Sequence, residues 1–239
     1  MEPIPWLTDR GLWFPPVEQA LDDPNGLLAV GGDLSPERLI SAYHRGIFPW
    51  YEDPQPVLWW SPDPRCILFP DQVHIPRRLA RKLRSDTFEL SFDRAFPEVI
   101  AACGTLSSRR PGTWITADMR NAYTVLHELG QAHSVEVWQD RQLVGGLYGV
   151  AIGRVFFGES MFSRTADASK IALISLGAQL QRWGFAFIDC QVSNPHMARM
   201  GALEVSRADF LDLLRPAIGQ SSAAPPDWRP VTPPRGYAE

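Results

Sequence analysis

A carboxylate and a carboxamide, Asp189 and Gln191, stand two residues apart at the end of the short apolar run Phe185 to Ile188. In a β-strand, residues at i and i+2 project from the same face, so both side chains would point into one cleft. A carboxylate can accept a proton from an amine, and an amide can orient that amine. The spacing therefore places one carboxylate and one amide where both could act in a single cleft, although a strand-end aspartate is more often a turn or cap residue.

The elements around this pair follow the order strand, strand, strand, helix, strand. Alternating apolar residues and tight turns predict antiparallel strands at 134–139, 143–152 and 154–159. Apolar residues at helical spacing predict a helix at 166–183, before the strand that carries Asp189. This order resembles the core of the GNAT acyltransferase fold. We therefore expect an α+β fold, with a GNAT-like acyltransferase domain.

Composition divides the chain into three expected parts. Residues 1–70 are punctuated by Pro, Gly, Trp and Phe, which predicts a small, loop-rich N-terminal α/β domain. Residues 71–218 form the regular, GNAT-like catalytic domain. Residues 219–239 are rich in Ser, Ala and Pro and bury too little apolar area to offset chain entropy, so we expect a flexible tail.

Capping and stop signals predict the other helices. One begins after Ser35, and others are predicted at 76–84, at 117–130 and from Ser206 to about Leu214, where Pro216 is expected to end the last one.

The loop before the long predicted helix does not fit coenzyme A as acyl donor. CoA-dependent GNAT enzymes carry an Arg/Gln-x-x-Gly-x-Gly/Ala loop there, whose backbone amides bind the pyrophosphate. Residues 163–170 read Ser-Arg-Thr-Ala-Asp-Ala-Ser-Lys, which lacks both glycines and places Asp167 where an anion would sit. We expect another activated acyl donor. A CoA-dependent N-acetyltransferase and a non-catalytic binder of peptide N-termini remain the alternatives.

Five blocks of sequence carry a family resemblance. They are Gly-Gly-Asp-Leu at 31–34, Tyr-His-Arg-Gly-Ile-Phe-Pro-Trp at 43–50, Leu-Trp-Trp-Ser-Pro-Asp-Pro-Arg at 58–65, Gly-Glu-Ser-Met-Phe-Ser at 158–163 and Ile-Asp-Cys-Gln at 188–191. In order and spacing, from about Phe14 to Leu214, the chain strongly resembles the leucyl/phenylalanyl-tRNA–protein transferase family.

The resemblance implies a reaction. Leucine or phenylalanine would pass from the 3′ adenosine ester of charged tRNA to the α-amine of a protein that begins with Arg or Lys. The product would be marked for degradation through the N-end rule. Because an aminoacyl ester is already activated, we expect no metal and no diffusible cofactor.

The resemblance also assigns roles to particular residues. Asp189 would accept or relay the amine proton, and Gln191 would position the amine. Both could equally be mainly binding residues. Apart from the resemblance, a carboxylate near the cleft would also attract a cationic N-terminal side chain, and Glu159, at the end of a neighbouring predicted strand, is the other candidate for that role. Trp50 and Trp114 would stack on the terminal adenosine, a contact that contributes ~1 to 3 kcal/mol per base, although each tryptophan could instead belong to the core.

An apolar pocket must receive the side chain of the donor amino acid. We nominate residues on the strands and helix expected to line the cleft: Leu147, Phe156, Leu173, Leu176 and Ile188. Leu147 stands where the family picture has methionine, an apolar replacement that could change the preference between Leu and Phe. Periodicity alone does not separate a pocket from ordinary core.

A basic segment is the candidate surface for tRNA. Five of the eight residues from 77 to 84 are cationic, among them Arg77, Arg78, Arg81 and Lys82. They could contact the phosphates of the acceptor stem, or they could form a solvated surface helix. The net charge of −4 argues against a protein that coats nucleic acid over its whole surface.

Other features limit the class of protein. The three cysteines show no disulfide framework or zinc spacing. The longest apolar stretch, Leu143 to Ile152, is far shorter than the ~20 residues of a membrane span, and Met1 to Leu12 lacks a signal-peptide pattern. We expect a cytoplasmic monomer without membrane contact.

Overall fold

The computed structural model of the chain describes residues 4–85, 87–106, 114–225 and 227–229. A small four-stranded sheet lies near the N-terminus, with the strand order β1-β2-β4-β3. Its strands are β1 (Trp6–Leu7), β2 (Leu27–Gly31), β3 (Phe48–Pro49) and β4 (Leu58–Trp60), and helix α1 (Pro36–Tyr43) connects β2 to β3.

The larger sheet has seven strands in the order β11-β5-β10-β9-β8-β7-β6. The strands are β5 (Arg65–Leu68), β6 (Glu89–Phe92), β7 (Ala132–Gln139), β8 (Gln142–Ile152), β9 (Val155–Ser163), β10 (Phe187–Gln191) and β11 (Leu203–Val205). Only β9 and β10 pair in parallel within this sheet. Strand β5 lies inside the range expected for the first domain, yet it pairs in the larger sheet.

Helices cover the larger sheet. They are α2 (Arg77–Arg84), α3 (Phe96–Leu106), α4 (Ala117–Glu128), α5 (Ala168–Arg182), α6 (Pro195–Arg199) and α7 (Arg207–Ile218). The apolar residues of α5 join one buried cluster and those of α3, α4 and α7 join the other. Among the described residues, no helix combines the length and apolar character needed to cross a membrane.

Strands β9 and β10 run side by side and then separate. They pair from Val155 with Phe187 to Phe157 with Asp189. Beyond that point β9 continues along β8 to Ser163, whereas β10 bulges and stays with β5. Antiparallel strands followed by a helix and a diverging parallel strand are the arrangement that the sequence predicted. The α+β class with a GNAT-like core is confirmed.

Helix α7 is longer than predicted. The capping prediction at its start is confirmed, because Ser206 Oγ accepts a hydrogen bond from Asp209 N at 3.1 Å. The predicted end at Pro216 is wrong, because the helix continues through Pro216 to Ile218. The ring of proline fixes φ at a helical value, and Pro216 lacks only the one backbone N–H that would have donated within the helix. Because Pro216 is close to the end of α7, the helix can continue past it. The last turn is held where Arg154 N donates to Ala217 O at 3.0 Å.

The segment after Gly219 contains a buried anchor that its composition did not indicate. Trp228 is only 2% exposed. Its ring stacks on His133 with centroids 3.7 Å apart, and Ala223 N donates to Trp183 O at 2.9 Å. One large aromatic side chain thus attaches the described part of this segment to the larger sheet. The rest of the expected tail, residue 226 and residues 230–239, lies outside the described residues.

Candidate active site

The carboxylate of Asp189 is enclosed by the protein. Arg65 donates from Nε to Oδ1 at 2.8 Å and from Nη2 to Oδ2 at 2.7 Å, and both side chains are fully buried. Arg65 Nη1 also donates to Gly46 O at 3.1 Å, and its guanidinium lies over the rings of Phe48 and Phe210. Asp189 is therefore one half of a bidentate buried ion pair.

Gln191 occupies a bulge of β10. Its φ is +57°, in the left-handed region that residues other than glycine seldom adopt, and the pairing with β5 shifts between Asp189 and Gln191. Gln191 N donates to Asp189 Oδ1 at 3.0 Å. The bulge interrupts the alternation expected for i and i+2, so Gln191 lines the two cavities described below while Asp189 lines neither.

Glu159 lies where β9 has separated from β10. Its Oε1 accepts from Tyr43 Oη at 2.7 Å and from Gln191 Nε2 at 3.1 Å, and its Oε2 accepts from Tyr123 Oη at 3.0 Å. The two tyrosine hydroxyls also contact each other. Burial raises the pKa of Glu159 to about 7, although the hydrogen bonds from Tyr43 and Tyr123 lower it.

An apolar cavity of about 180 Å³ opens beside Glu159. Its walls include all five side chains nominated for the donor pocket, namely Leu147, Phe156, Leu173, Leu176 and Ile188. The long-range fold therefore brings residues of β8, β9, β10 and α5 around one space.

A second cavity, of about 260 Å³, shares Glu159 and Gln191 with the lining of the first. Trp50 and Trp114 both line it, and Trp50 is 44% exposed, which makes an aromatic surface available for stacking. Glu159, Gln191, Cys190 and Asn194 line both cavities. The two spaces therefore meet at the carboxylate and carboxamide.

The four cations nominated on α2 have two different environments. Arg78 and Lys82 bond to Asp167 Oδ2 at 2.8 and 2.9 Å. Burial raises the pKa of Asp167, but hydrogen bonds from Lys82 and Lys170 outweigh it and lower that pKa overall. Within the described residues Arg77 and Arg81 are exposed and form no ion pair.

Several site residues were not singled out by the sequence pattern. Arg65, Tyr43 and Tyr123 are chain-distant partners of the two carboxylates. Arg65 and Tyr43 belong to the blocks that carry the family resemblance, which was the one signal that could have found them. Asn194 acts as a cap, because its Oδ1 accepts from His196 N and Met197 N, both at 3.0 Å.

Two family profiles and several named relatives match this chain. The sequence profile of the leucyl/phenylalanyl-tRNA protein transferase family matches residues 67–215, and the profile of its N-terminal domain matches residues 32–63. A protein of Stutzerimonas stutzeri (strain A1501) named leucyl/phenylalanyl-tRNA–protein transferase is 54% identical over 226 residues, which cover 95% of this chain and 99% of the relative. One of the same name from Alkalilimnicola ehrlichii is 62% identical over 206 residues, 86% of this chain and 80% of the relative.

Two solved structures have a low similarity to this chain. A GCN5-related N-acetyltransferase from Kribbella flavida has a TM-score of 0.37 at 13% identity, over 72% of this chain and 61% of that one. The L-PGS structure from Bacillus licheniformis has a TM-score of 0.43 at 10% identity, over 81% and 73% of the two chains. With two family profiles and relatives more than half identical over most of its length, this chain belongs to the leucyl/phenylalanyl-tRNA protein transferase family and is a transferase.

Proposed function

We propose that this chain moves leucine or phenylalanine from charged tRNA to the α-amine of a protein that begins with Arg or Lys, forming a peptide bond that tags the protein for N-end rule degradation. The observation that carries the proposal is that an apolar cavity and a tryptophan-lined cavity meet at Glu159 and Gln191. A substrate with an apolar side chain on one side and an adenosine on the other fits that shape.

The donor would span both cavities. Its side chain would enter the space walled by Leu147, Phe156, Leu173, Leu176 and Ile188, where burial of apolar surface is favourable. The terminal adenosine would stack on Trp50 and Trp114. The ester bond between these two parts would then lie beside Glu159 and Gln191, at the junction.

The acceptor amine would approach the ester at the same junction. Gln191 can orient the amine through its carboxamide, and Glu159 offers a negative charge to the basic N-terminus. Asp189 is bonded to Arg65 and to Gln191 N, so its contribution would be to hold Gln191 in the strained bulge.

The rest of the tRNA would be held by charge. Phosphates of the acceptor stem would contact α2, chiefly Arg77 and Arg81, with Arg78 and Lys82 adding to the local field. Because charged tRNA is a cytoplasmic substrate, we propose that the reaction takes place in the cytoplasm. We also propose that the protein acts as a monomer, with no cofactor or metal.

The test is transfer of radiolabelled leucine from charged tRNA to an Arg-starting peptide in a metal-free, nucleotide-free buffer. We expect labelled peptide, and no product with the same peptide begun by Glu. Binding of the peptide without transfer would favour an adaptor instead. Acetylation of the peptide when labelled acetyl-CoA replaces tRNA would contradict the proposal.

A further inference from the structure

We propose that Glu159, held by the hydroxyls of Tyr43 and Tyr123, takes the amine proton during transfer and returns it to the departing 3′ oxygen. The inference rests on the proposed function and assigns its proton carrier. Among the residues that the structure describes, Glu159 is the only carboxylate in the lining of either cavity, and it lines both of them.

A count of hydrogens around Glu159 supports this role. Three oxygen–oxygen contacts form a ring: Tyr43 Oη with Oε1, Tyr123 Oη with Oε2, and the two hydroxyls with each other. When Glu159 is ionised, the two hydroxyls supply only two hydrogens for these three contacts. When Glu159 is protonated, each contact has one hydrogen. The ring therefore has a place for one more proton.

The remaining contact of the carboxylate points toward the substrates. Gln191 Nε2 donates to Oε1 at 3.1 Å, and Gln191 lines both cavities. An amine oriented by the Gln191 carboxamide would thus lie next to the carboxylate that receives its proton. The tyrosines are positioning residues, because both side chains are buried behind Glu159 and away from the cavity linings.

The proton affinity of Glu159 also suits an amine. Burial raises its pKa to about 7, close to the ~7.7 to 8.0 of a free α-amino group. A proton passing between groups of similar pKa meets little thermodynamic barrier in either direction, which a group that both takes and gives a proton requires.

The charged and titratable groups that face Glu159 come from several elements. The negative charge of Asp189 raises the pKa of Glu159, and the positive charge of Arg65 lowers it. Because Asp189 and Arg65 form an ion pair, these two effects on Glu159 offset each other. Tyr148 of β8 is buried nearby with no hydrogen-bond partner for its hydroxyl. Asp189 itself is a poor alternative carrier, since Arg65 already occupies both of its oxygens and it reaches neither cavity.

Peptide-bond formation takes place in two stages. The amine nitrogen attacks the ester carbonyl carbon and a C–N bond forms, while one N–H proton passes to the Glu159 carboxylate. The tetrahedral intermediate then breaks its C–O bond to the 3′ oxygen of the adenosine. Glu159 returns the proton to that oxygen, so the peptide and the free 3′ hydroxyl leave and the carboxylate is restored.

The experiment is single-turnover transfer from charged tRNA to an Arg-starting peptide, measured from pH 5.5 to about 9. We expect Glu159→Gln to lower the rate constant at saturating peptide by about 100-fold or more. Tyr43→Phe and Tyr123→Phe each remove a donor that stabilises the carboxylate. We expect each to move the acid limb of the rate profile up by about 0.5 to 1 pH unit.

Tyr51→Phe is the matched control. Its hydroxyl contacts Thr116 Oγ1 at 3.3 Å and has no contact with Glu159, so its acid limb should coincide with that of the wild type. The peptide amine has the same pKa in every assay, so its titration cannot shift the acid limb from one variant to another. An acid limb that moves only in Tyr43→Phe and Tyr123→Phe must therefore reflect the titration of a group in the protein.

Two results would overturn the inference. One is an acid limb that stays in place in both Tyr43→Phe and Tyr123→Phe. The other is a Glu159→Gln enzyme whose rate constant is intact and whose peptide KM alone rises, which would make Glu159 a binding group. In both cases the wild type still transfers leucine, whereas failure of the proposed function would leave the wild type inactive.

Discussion

Two carboxylates near the junction of the cavities have different partners. Asp189 is bonded to the guanidinium of Arg65 in a fully buried pair, whereas Glu159 accepts from neutral hydroxyls and one amide. A buried carboxylate facing a cation serves as a fixed support, while one surrounded by neutral donors can change its protonation. Because of this difference in environment, we assign the positioning of Gln191 to Asp189 and the proton transfer to Glu159.

The Arg65–Asp189 pair should be important for stability. Asp189→Asn leaves the buried Arg65 charge uncompensated, and we expect the free energy of unfolding to fall by about 3 to 5 kcal/mol in urea denaturation. The control is Asp212→Asn, which removes an exposed pair with Arg215 and should cost about 0 to 1 kcal/mol. Equal decreases in the free energy of unfolding of the two variants would show that the buried pair stabilises the fold no more than the exposed one.

The first cavity should set the choice between donors. Leu173→Phe makes the cavity smaller. Because phenylalanine is the larger donor side chain, kcat/KM should fall more for the phenylalanyl donor than for the leucyl donor. We expect the ratio of kcat/KM for leucyl over phenylalanyl donors to rise by about tenfold. Leu129→Phe, at a surface position that is 58% exposed, should leave that ratio unchanged. A ratio that does not move in Leu173→Phe would remove this cavity as the donor pocket.

At the scale of elements, a carboxylate connects two helices. Asp167 occupies the position before the first residue of α5 in the left-handed conformation, with φ of +75°, and its side chain bonds to Arg78 and Lys82 of α2. A helix N-terminus is the position where a related fold would bind an anionic cofactor group. Here a side chain of the chain itself supplies that negative charge and orients α2.

The cations of α2 should therefore contribute unequally to tRNA binding. Replacing Arg77 and Arg81 together with Ala should weaken binding and reduce the slope of log affinity against log salt by about 2, or close to one per phosphate contact. Replacing Arg78 and Lys82 together should change the slope less, because Asp167 already balances them. Filter binding across a salt series measures both. Unchanged affinity of the Arg77 and Arg81 variant at low salt would remove α2 as the tRNA surface.

The elements with strong local signals were predicted well. The three antiparallel strands, the long helix and the strand ending in Asp189 all form, with ends that differ by a few residues. Strand β6 and helix α3 were not predicted. Strand β6 has two partly buried residues between its ends, so its sequence does not alternate clearly between apolar and polar residues. Helix α3 is apolar on average and has no marked polar face, so its sequence lacks a clear helical repeat of apolar residues.

At the scale of the whole molecule, α7 joins the two sheets. Phe210 and Leu211 pack where Gly46 approaches closely, with a positive φ of +72°, so a Cβ there would come within 2.7 Å of Phe210. Arg207 donates to Ser61 O at 2.8 Å and to Val17 O at 3.2 Å. The N-terminal sheet, which carries the Trp50 wall, is thereby held against the sheet that carries Glu159.

The C-terminal segment should contribute to global stability through Trp228. Trp228→Ala removes a ring stacked on His133, and we expect a loss of about 3 to 5 kcal/mol in the free energy of unfolding. Trp13→Ala, at a position that is 60% exposed, should change it by about 0.5 kcal/mol or less. A Trp228→Ala protein as stable as the wild type would show that the contact of Trp228 with His133 does not stabilise the fold.

The sequence alone determined the α+β class, the order of the main strands and helix, and the family. Those features depend on local periodicity or on contiguous blocks, which can be read without knowing what lies across the sheet. Only the tertiary structure decided which carboxylate lines the two cavities. The partners of Asp189 and Glu159 lie up to 124 residues away in the chain, and a single bulge at Gln191 turns one side chain toward the cavities while its neighbour stays enclosed.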